Sequence, residues 1–363
     1  MTETLLKTEI VRDAQRFAAL SREWDALAIR LETPLARHAW YIAALAALQQ
    51  HLFELSVVLI WSGKLLVAAV PLMLDKMLLP ARLVPIDAFA GEPFRLLYRD
   101  PEALAALSHA CARLKRPILF RRLQASKTDL ALFSAALRSN AAVYCKSRYT
   151  SATTQLPADF ETFEASMTRK RLSAIRGKWR AAMREHGEVA IEYVTPEPGD
   201  LPVLLDRFMA LEGSGWKQRS GTALCADRRM GCFVSQLARA FAQDGLLEFA
   251  FLKIGGRDAA CRLLLRQCSG AFAIKIGFDE EFRRFTPGIL LAHETLRESC
   301  RTGATSFSFL GVYEDWQDNW PHEVTEDFRF ATYPFRPSGA LALMDDSRQA
   351  MVSLLRRRRR LLG

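Results

Sequence analysis

The chain contains 363 residues, which predicts two domains at about 100–200 residues per domain. Half of the residues are hydrophobic and a quarter are charged, a composition that excludes global disorder. Lysine and arginine exceed aspartate and glutamate by 50 to 40, and the net charge of +10 favours anionic partners: phosphorylated cofactors, nucleic acid or an acidic membrane surface.

Targeting and metal-binding signals are absent from the sequence. No apolar run approaches the roughly 20 residues that a membrane-spanning helix needs. The opening residues, MTETLLKTEIVRDAQ, alternate charge with apolar side chains and lack the parts of a signal peptide, so we expect a cytoplasmic protein. The seven cysteines are odd in number and form no C-x-x-C pair, so we expect reduced thiols and no metal site.

The first half of the chain begins with helical patterns. Apolar residues recur at helical spacing, at Phe17, Leu20, Trp24 and Leu27, and a second such stretch covers 40–48. Two strand patterns, FELSVVLIW and LLVAAVPLML, flank a turn at 62–64 and predict an antiparallel hairpin. A helix at about 101–114 and a strand over ILFRRLQ complete this half.

The passage between the halves combines a predicted linker, SATTQLPADF, with a basic helix, TRKRLSAIRGKWRAAMREHG, interrupted at Gly177. Leu172, Ile175, Trp179 and Met183 form one apolar stripe, and arginine and lysine cover the remaining surface. The basic surface is either a solvated helix face or a wall that contacts the phosphates of a coenzyme, nucleotide-linked sugar or tRNA. We do not expect DNA as a partner, because no helix-turn-helix spacing or zinc module accompanies the helix.

The second half repeats the order of the first. Helices are predicted from Asp200 to about Leu211 and over about 229–243, followed by strands LLEFAFLKI, AACRLLLRQ and AFAIKIGF. A helix from Pro287 to about Cys300 and a strand over SFSFLG follow. The repeated order predicts an α+β fold in two tandem domains, each a mainly antiparallel sheet flanked by helices. The predicted limits are 1–155, 156–345 and, for a basic tail, 346–363.

The start of the helix at Pro287 has the properties of an anion site. Thr286 suits an N-cap and Pro287 suits the first helical position. The amides that follow then point out of the helix start, where the helix dipole favours a phosphate; they belong to Gly288, Ile289 and Leu290. Arg283 and Arg284 add positive charge. The alternative is an ordinary capped helix with solvated arginines.

The segment IKIGFDEEFRRFTPGILLAHETLRESCRTGATSFSFLGVYEDWQDNW resembles the core of the CelD/BioF-like acetyltransferase domain of the GNAT superfamily. That family is related to the Fem peptidyltransferases, which carry two GNAT-like halves. The resemblance rests on Phe278-Asp279, Pro287-Gly288, Gly311, and Tyr313, Trp316 and Trp320. Upstream, Gly215-Trp216-Lys217 matches a recurrent family feature. The resemblance is close over about 200–322 and architectural over the first half.

The resemblance implies two GNAT-like domains and an N-acyltransferase that moves an acyl group from acetyl-CoA or another acyl-CoA to an amine. The implied acceptor is a small-molecule or saccharide-linked amine from envelope or exopolysaccharide metabolism. GNAT enzymes usually bind the donor pyrophosphate with an Arg/Gln-x-x-Gly-x-Gly/Ala loop, and Thr286 stands here in place of the first Gly. The implied donor-binding residues are Phe278, Arg283, Arg284, Thr286, Gly288, Ile289 and Leu290.

Acyl transfer to an amine requires that the amine lose a proton and that charge on the thioester oxygen be stabilised. Asp279, at the end of a strand, is the candidate that orients or deprotonates the acceptor, and Tyr313 and Glu314 are candidates for acid or base. An acceptor cleft is expected to be lined by Trp216, Lys217, Trp316 and Trp320. Packing in the core is the alternative for the tryptophans.

Two other functions remain open. The first is a Fem-like transferase that takes an aminoacyl group from tRNA and uses the basic helix as its groove. The second is a non-enzymatic, membrane-associated binding protein with a degenerate acyl site. The tail LLRRRRRLLG carries five consecutive arginines, Arg356–Arg360. It is either a solvated end or a segment that holds the protein on the inner face of an anionic membrane, at about 1 kcal/mol per basic residue.

Overall fold

The computed structural model describes residues 5–197, 199–214, 224 and 226–361, without the side chains of residues 50, 353 and 356–361. The chain forms two compact units. The first comprises Met1–Leu31, Leu48–Tyr149 and Glu326–Gly363, and the second comprises Glu32–Ala47 and Thr150–Thr325. The domain limits at 155 and 345 stay a prediction.

The described helices are α1 (Ala14–Ala18), α2 (Ser21–Ala28), α3 (His38–Ala46), α4 (Pro101–Arg113), α5 (Lys127–Arg138), α6 (Phe160–Ser166), α7 (Arg169–His186), α8 (Leu201–Gly213), α9 (Arg228–Gln243), α10 (Pro287–Arg301) and α11 (Pro337–Leu361). The described strands are β1 (Leu6–Val11), β2 (Phe53–Ser62), β3 (Leu65–Asp75), β4 (Arg82–Pro85), β5 (Leu97–Tyr98), β6 (Leu119–Leu123), β7 (Ala141–Gln155), β8 (Val189–Val194), β9 (Leu247–Ile254), β10 (Arg257–Gln267), β11 (Gly270–Phe278), β12 (Ser306–Ser308) and β13 (Glu323–Pro334). None of these helices is long and apolar enough to cross a membrane.

The first unit is built on an antiparallel sheet with the strand order β1-β2-β3-β4, and β5 also pairs with β3. The hairpin of β2 and β3 is the one that the sequence pattern predicts. Its turn contains Gly63 with φ of 61°, a left-handed conformation that glycine adopts without a steric penalty. Leu55–Ile60 and Leu66–Leu74 are buried without interruption, so both strands lie in the core of this unit.

The last helix, α11, is held in the first unit by a buried arginine. The guanidinium of Arg82 on β4 is 3.0 Å from Asp345 and 2.9 Å from Asp346, and it also donates to the carbonyl of Ala342. The hydroxyl of Tyr333 donates to Asp346 at 2.6 Å. Charge-assisted hydrogen bonds of this kind are stronger than neutral ones, so the first turns of α11 have a defined attachment.

In the second unit the strand order is β7-β12-β11-β10-β9-β8. The pairing of β11 with β12 is parallel, and the other neighbours pair antiparallel. Helices α6, α7 and α10 share a hydrophobic core with Ala250, Leu252 and Leu264 on one face of this sheet. The opposite face packs on α8, where Phe208 meets Phe249 with ring centroids 6.0 Å apart.

The structure confirms the predicted α+β class with mainly antiparallel sheets flanked by helices. Two local predictions were wrong. The segment SATTQLPADF is not a linker, because residues 153–155 pair with β12 as the end of β7. The basic helix is not interrupted at Gly177, because α7 is continuous from Arg169 to His186.

Candidate active site

An open cavity of about 610 Å³ lies in the second unit where β11 and β12 separate. The two strands pair only over Gly270–Phe272 and Ser306–Ser308. One wall comes from β11 and the start of α10, with Ile276, Phe278, Arg283, Thr286, Pro287, Gly288 and Ile289. The other wall follows β12 and consists of Phe309, Leu310, Gly311, Val312, Glu314, Trp316 and Gln317.

Two irregularities separate the strands. The register of β10 and β11 shifts at Leu263 and Leu264, which leaves Ile274 as an extra residue in β11, and such bulges bend and twist a strand. After β12, Leu310 and Gly311 adopt φ of 53° and 61°, so the chain turns away from the sheet. The result is an opening bounded mainly by apolar side chains.

The start of α10 differs in detail from the sequence-based prediction. Thr286 lies at the N-cap in a left-handed conformation, with φ of 50°, and its side chain makes no cap hydrogen bond. Its carbonyl accepts from the amides of Ile289 at 2.9 Å and Leu290 at 3.2 Å. Among the predicted phosphate-binding amides, therefore, only that of Gly288 has no acceptor within the described part of the chain.

The two arginines before this helix have different environments. Arg283 lines the cavity and is exposed, and its guanidinium has no partner among the described residues. Arg284 forms an ion pair with Glu185 of α7 and lies 4.6 Å over the ring of Phe285. Of these two arginines, Arg283 is therefore the one available to an anion in the cavity. Leu290, also predicted to bind the donor, is fully buried in the core.

Of the three predicted acid–base residues, Glu314 lines the cavity, and its carboxylate accepts from the indole of Trp316 at 3.0 Å. The hydroxyl of Tyr313 donates to Asp318 at 2.5 Å, and this hydrogen bond raises the pKa of Tyr313 above its ordinary value. Asp279 accepts from the amide of Glu281 and pairs with Arg257 at 3.3 Å. Neither Asp279 nor Tyr313 lines the cavity.

The predicted acceptor-site residues are distributed unevenly. Trp316 lines the cavity, whereas Trp320 is only 1 % exposed and stacks behind Phe309 at 5.6 Å. Trp216 and Lys217 lie outside the described residues. Within the described ranges, no group of three or more histidine, cysteine or acidic residues is arranged to hold a metal ion.

A buried histidine supports the aromatic wall of the cavity. The indole N–H of Trp320 donates to Nδ1 of His293 at 3.2 Å, and Nε2 of His293 is 3.0 Å from Glu164. Because an indole only donates, Nδ1 must be unprotonated and Nε2 carries the hydrogen. Burial lowers the pKa of His293 below its ordinary value, consistent with a neutral ring.

Sequence reasoning missed two buried charged residues near this region. Glu212 at the end of α8 is 3 % exposed and accepts from the amide of Leu224 at 2.9 Å. Arg262 in β10 is 1 % exposed. The signal was available in both cases, because Glu212 occupies the apolar stripe of an amphipathic helix and Arg262 interrupts an apolar strand.

Residues 169–318 match the acetyltransferase (GNAT) domain family. The chain carries a GNAT acetyltransferase domain. This GNAT domain includes every described residue of the cavity, and it makes the chain an acyltransferase. No curated protein sequence matches the chain.

Solved structures are similar in fold to most of the chain, beyond the GNAT domain alone. A crystal structure of FemX has 13% identity and a TM-score of 0.61, covering 93% of this chain and 99% of its own. The C-terminal DUF2156 domain of a putative lysylphosphatidylglycerol synthetase from Agrobacterium fabrum has 13% identity and a TM-score of 0.56, covering 91% and 96% respectively. The chain therefore has a Fem-like fold that includes a GNAT domain.

Proposed function

We propose that this acyltransferase moves an acyl group from acetyl-CoA or another acyl-CoA to an amine acceptor. The observation that carries the proposal lies at one wall of an apolar cavity in the GNAT domain, where the guanidinium of Arg283 and the amide of Gly288 have no partner among the described residues. An apolar cavity with a few converging polar groups suits a ligand that has an anionic end and an uncharged body. An acyl-CoA has both parts.

The proposed reaction needs one base and one anion site. The amine nitrogen attacks the thioester carbonyl, the amine proton passes to a base, and the C–S bond breaks so that the sulfur leaves as a thiolate, which takes the proton from the base. Glu314 is the acid–base candidate that lines the cavity, so we assign it the base. Arg283 and the amide of Gly288 would bind the pyrophosphate, with Phe278, Thr286 and Ile289 beside it. Asp279 would act by capping the loop at 280–285 and Tyr313 through Asp318.

The proposed acceptor is a small-molecule or saccharide-linked amine from envelope or exopolysaccharide metabolism, bound near Trp316 with Trp216 and Lys217. The support for this acceptor is the resemblance to CelD/BioF-like domains. A cytoplasmic location, with attachment to the inner face of an anionic membrane through Arg356–Arg360, belongs to the same proposal. The resemblance and the arginine run support these points.

An aminoacyl-tRNA donor is the second candidate, favoured by the charge on α7. Five exposed cations of this helix have no ion-pair partner among the described residues: Arg169, Lys170, Lys178, Arg180 and Arg184. Binding of tRNA through these side chains would weaken steeply with added salt, since each neutralised phosphate releases counterions. The affinity for acyl-CoA would depend much less on the salt concentration than the affinity for tRNA.

A thermal-shift titration with acetyl-CoA tests the donor. At 100 times its dissociation constant the ligand should stabilise the fold by about 2.7 kcal/mol. The midpoint should then rise by several degrees, since each kcal/mol corresponds to about 2–4 °C in a chain of this size. Gly288→Asp should abolish the rise, because it places a negative charge where the phosphate would bind. Gly177→Asp on α7 is the matched control, since a side chain there meets no neighbouring atom.

The two arginines provide a second comparison. Arg283→Ala should weaken acetyl-CoA binding, whereas Arg284→Ala should change it little because Arg284 is engaged by Glu185. A folded Gly288→Asp variant that responds like the parent would refute the assigned pyrophosphate site. A parent that responds to no acyl-CoA but binds aminoacyl-tRNA would favour the second candidate.

A further inference from the structure

Arg262 is a buried cation without a counter-ion in the part of the chain that the structure describes. Its side chain is 1 % exposed, and neither Nε nor Nη1 has a hydrogen-bond partner among those residues. Buried arginines are normally paired, and an unpaired buried charge costs free energy. Burial lowers the pKa of Arg262 only to about 10, so the group remains a cation at neutral pH.

Arg262 lies beside a residue that forms the wall of the cavity. Across the sheet, Arg262 pairs with Ile276, which lines the cavity, and cross-strand neighbours share a face. Its guanidinium carbon is 5.9 Å from the ring of Phe307, in the short paired part of β12. That ring is 5.1 Å from the ring of Phe309, another cavity residue. Arg262 therefore lies near the point from which β11 and β12 diverge.

The ring of Phe307 attracts the guanidinium of Arg262 but does not satisfy its N–H groups. An aromatic face attracts a cation but accepts no N–H hydrogen bond in the plane of the guanidinium. The open N–H groups are suited to a carboxylate, because the planar guanidinium can bind both of its oxygens. Another arginine of this strand shows such pairing, since Arg266 binds Glu248 at 2.9 and 3.0 Å.

We propose that Arg262 binds a carboxylate at the far end of the donor's acyl group, so that the preferred donor is the thioester of a dicarboxylic acid. The inference rests on the proposed function, because the same cavity must hold the thioester. Arg283 and Gly288 bind the phosphate end of the donor at the cavity wall, and Arg262, which pairs with Ile276 across the sheet, binds the opposite end. The acyl group would pass the side chain of Ile276 to reach the guanidinium.

Two ligands of equal carbon number test the inference. Succinyl-CoA and butyryl-CoA both carry four-carbon acyl groups, and only the first ends in a carboxylate. The full chain should bind succinyl-CoA at least about tenfold more tightly than butyryl-CoA in calorimetric titrations. Acetyl-CoA serves as the short reference that cannot reach Arg262.

Arg262→Met retains an unbranched apolar stem and removes the charge. The variant should fold, since replacing a buried unpaired charge by an apolar group is neutral or stabilising, and it should lose the preference for succinyl-CoA. Arg266→Met is the control from the same strand, and the ratio of the two affinities should stay at the parental value because Arg266 is engaged by Glu248.

The outcomes separate the two proposals. If the parent binds butyryl-CoA and acetyl-CoA but shows no preference for succinyl-CoA, the role of Arg262 is refuted and the acyl-CoA donor stands. A preference that persists in Arg262→Met likewise refutes the role of Arg262 alone. If the parent binds none of the three thioesters, the donor assignment fails and the inference fails with it.

Discussion

The chemistry of single residues in the second unit depends on which partners they have already engaged. Arg283 and Arg284 are adjacent in sequence, yet only Arg284 is neutralised by an acid. Both ring nitrogens of His293 also have partners, because Trp320 donates to Nδ1 and Glu164 faces Nε2. The ring thereby holds Trp320 behind Phe309 and supports the cavity wall without reaching the cavity itself.

This arrangement predicts a loss of stability in acid. Burial is the largest cause of the lowered pKa of His293; Arg297 and Arg176 also lower it, and Glu164 opposes them. The unfolded chain then binds a proton near pH 6.5 that the folded chain binds only at lower pH. The free energy of unfolding should therefore fall as the pH drops below about 6.5 towards the folded pKa.

Urea unfolding between pH 7.5 and 5 measures this effect. His293→Gln, which does not titrate, should show a shallower decline than the parent. His109→Gln, at an exposed histidine of α4, should retain the parental decline. Parallel curves for the parent and His293→Gln would contradict the assignment.

Among the helices, α11 is attached to the first unit near its start, and its later turns expose apolar side chains. Arg82 anchors it through Asp345 and Asp346. Further along, the large apolar side chains are solvent-exposed, namely Met351, Val352, Leu354 and Leu355. The five arginines that follow make this helix basic. Apolar contact together with basic charge is the combination that attaches a helix to an anionic bilayer surface.

Deletion of 351–363 should therefore reduce binding to vesicles that contain phosphatidylglycerol by at least about tenfold in co-sedimentation, since each basic residue near the surface contributes about 1 kcal/mol. The anchored residues precede the cut, so the thermal shift with acetyl-CoA should be unchanged. Leu354→Gln removes an apolar side chain without changing the charge, and neutral phosphatidylcholine vesicles provide the background. Equal binding of the deletion variant and the parent would identify the tail as a solvated end.

At the scale of the whole molecule, each unit combines stretches that are far apart in sequence. Residues 32–47 belong with 150–325, and within that unit Trp40 of α3 packs on Phe233 of α9 with centroids 5.0 Å apart. The described cavity wall is drawn from 276–317 and lies in the second unit. A donor bound there contacts strands of that unit directly.

Hydrogen exchange should report this division. Acetyl-CoA should slow amide exchange in β11 and at the start of α10, because a bound ligand suppresses local opening at its site. The β2–β3 hairpin of the first unit should exchange at the same rate with and without ligand. Equal protection of both regions would show that ligand binding is coupled to the first unit.

The elements whose signals are local could be predicted from the amino-acid sequence. The β2–β3 and β9–β10 hairpins, α10 and the basic α7 follow from apolar periodicity and turn residues within a few positions of each other. For the same reason, one short segment of sequence was enough to predict several donor-binding residues that line the cavity: Phe278, Arg283, Thr286, Gly288 and Ile289. A strand end, a loop and a helix start are continuous in the chain, so their side chains remain neighbours in the fold.

Contacts between groups far apart in the chain could not be predicted from local patterns and became visible in the folded structure. The pairing of residues 153–155 with β12, the assignment of 32–47 to the second unit, and the engagement of Arg284 by Glu185 each join positions far apart in sequence. The lack of an acceptor for Arg262 within the described ranges is of the same kind, because whether a buried guanidinium finds an acceptor depends on every element packed around it. Local patterns specify the backbone of each element, whereas burial and charge pairing are properties of the assembled core.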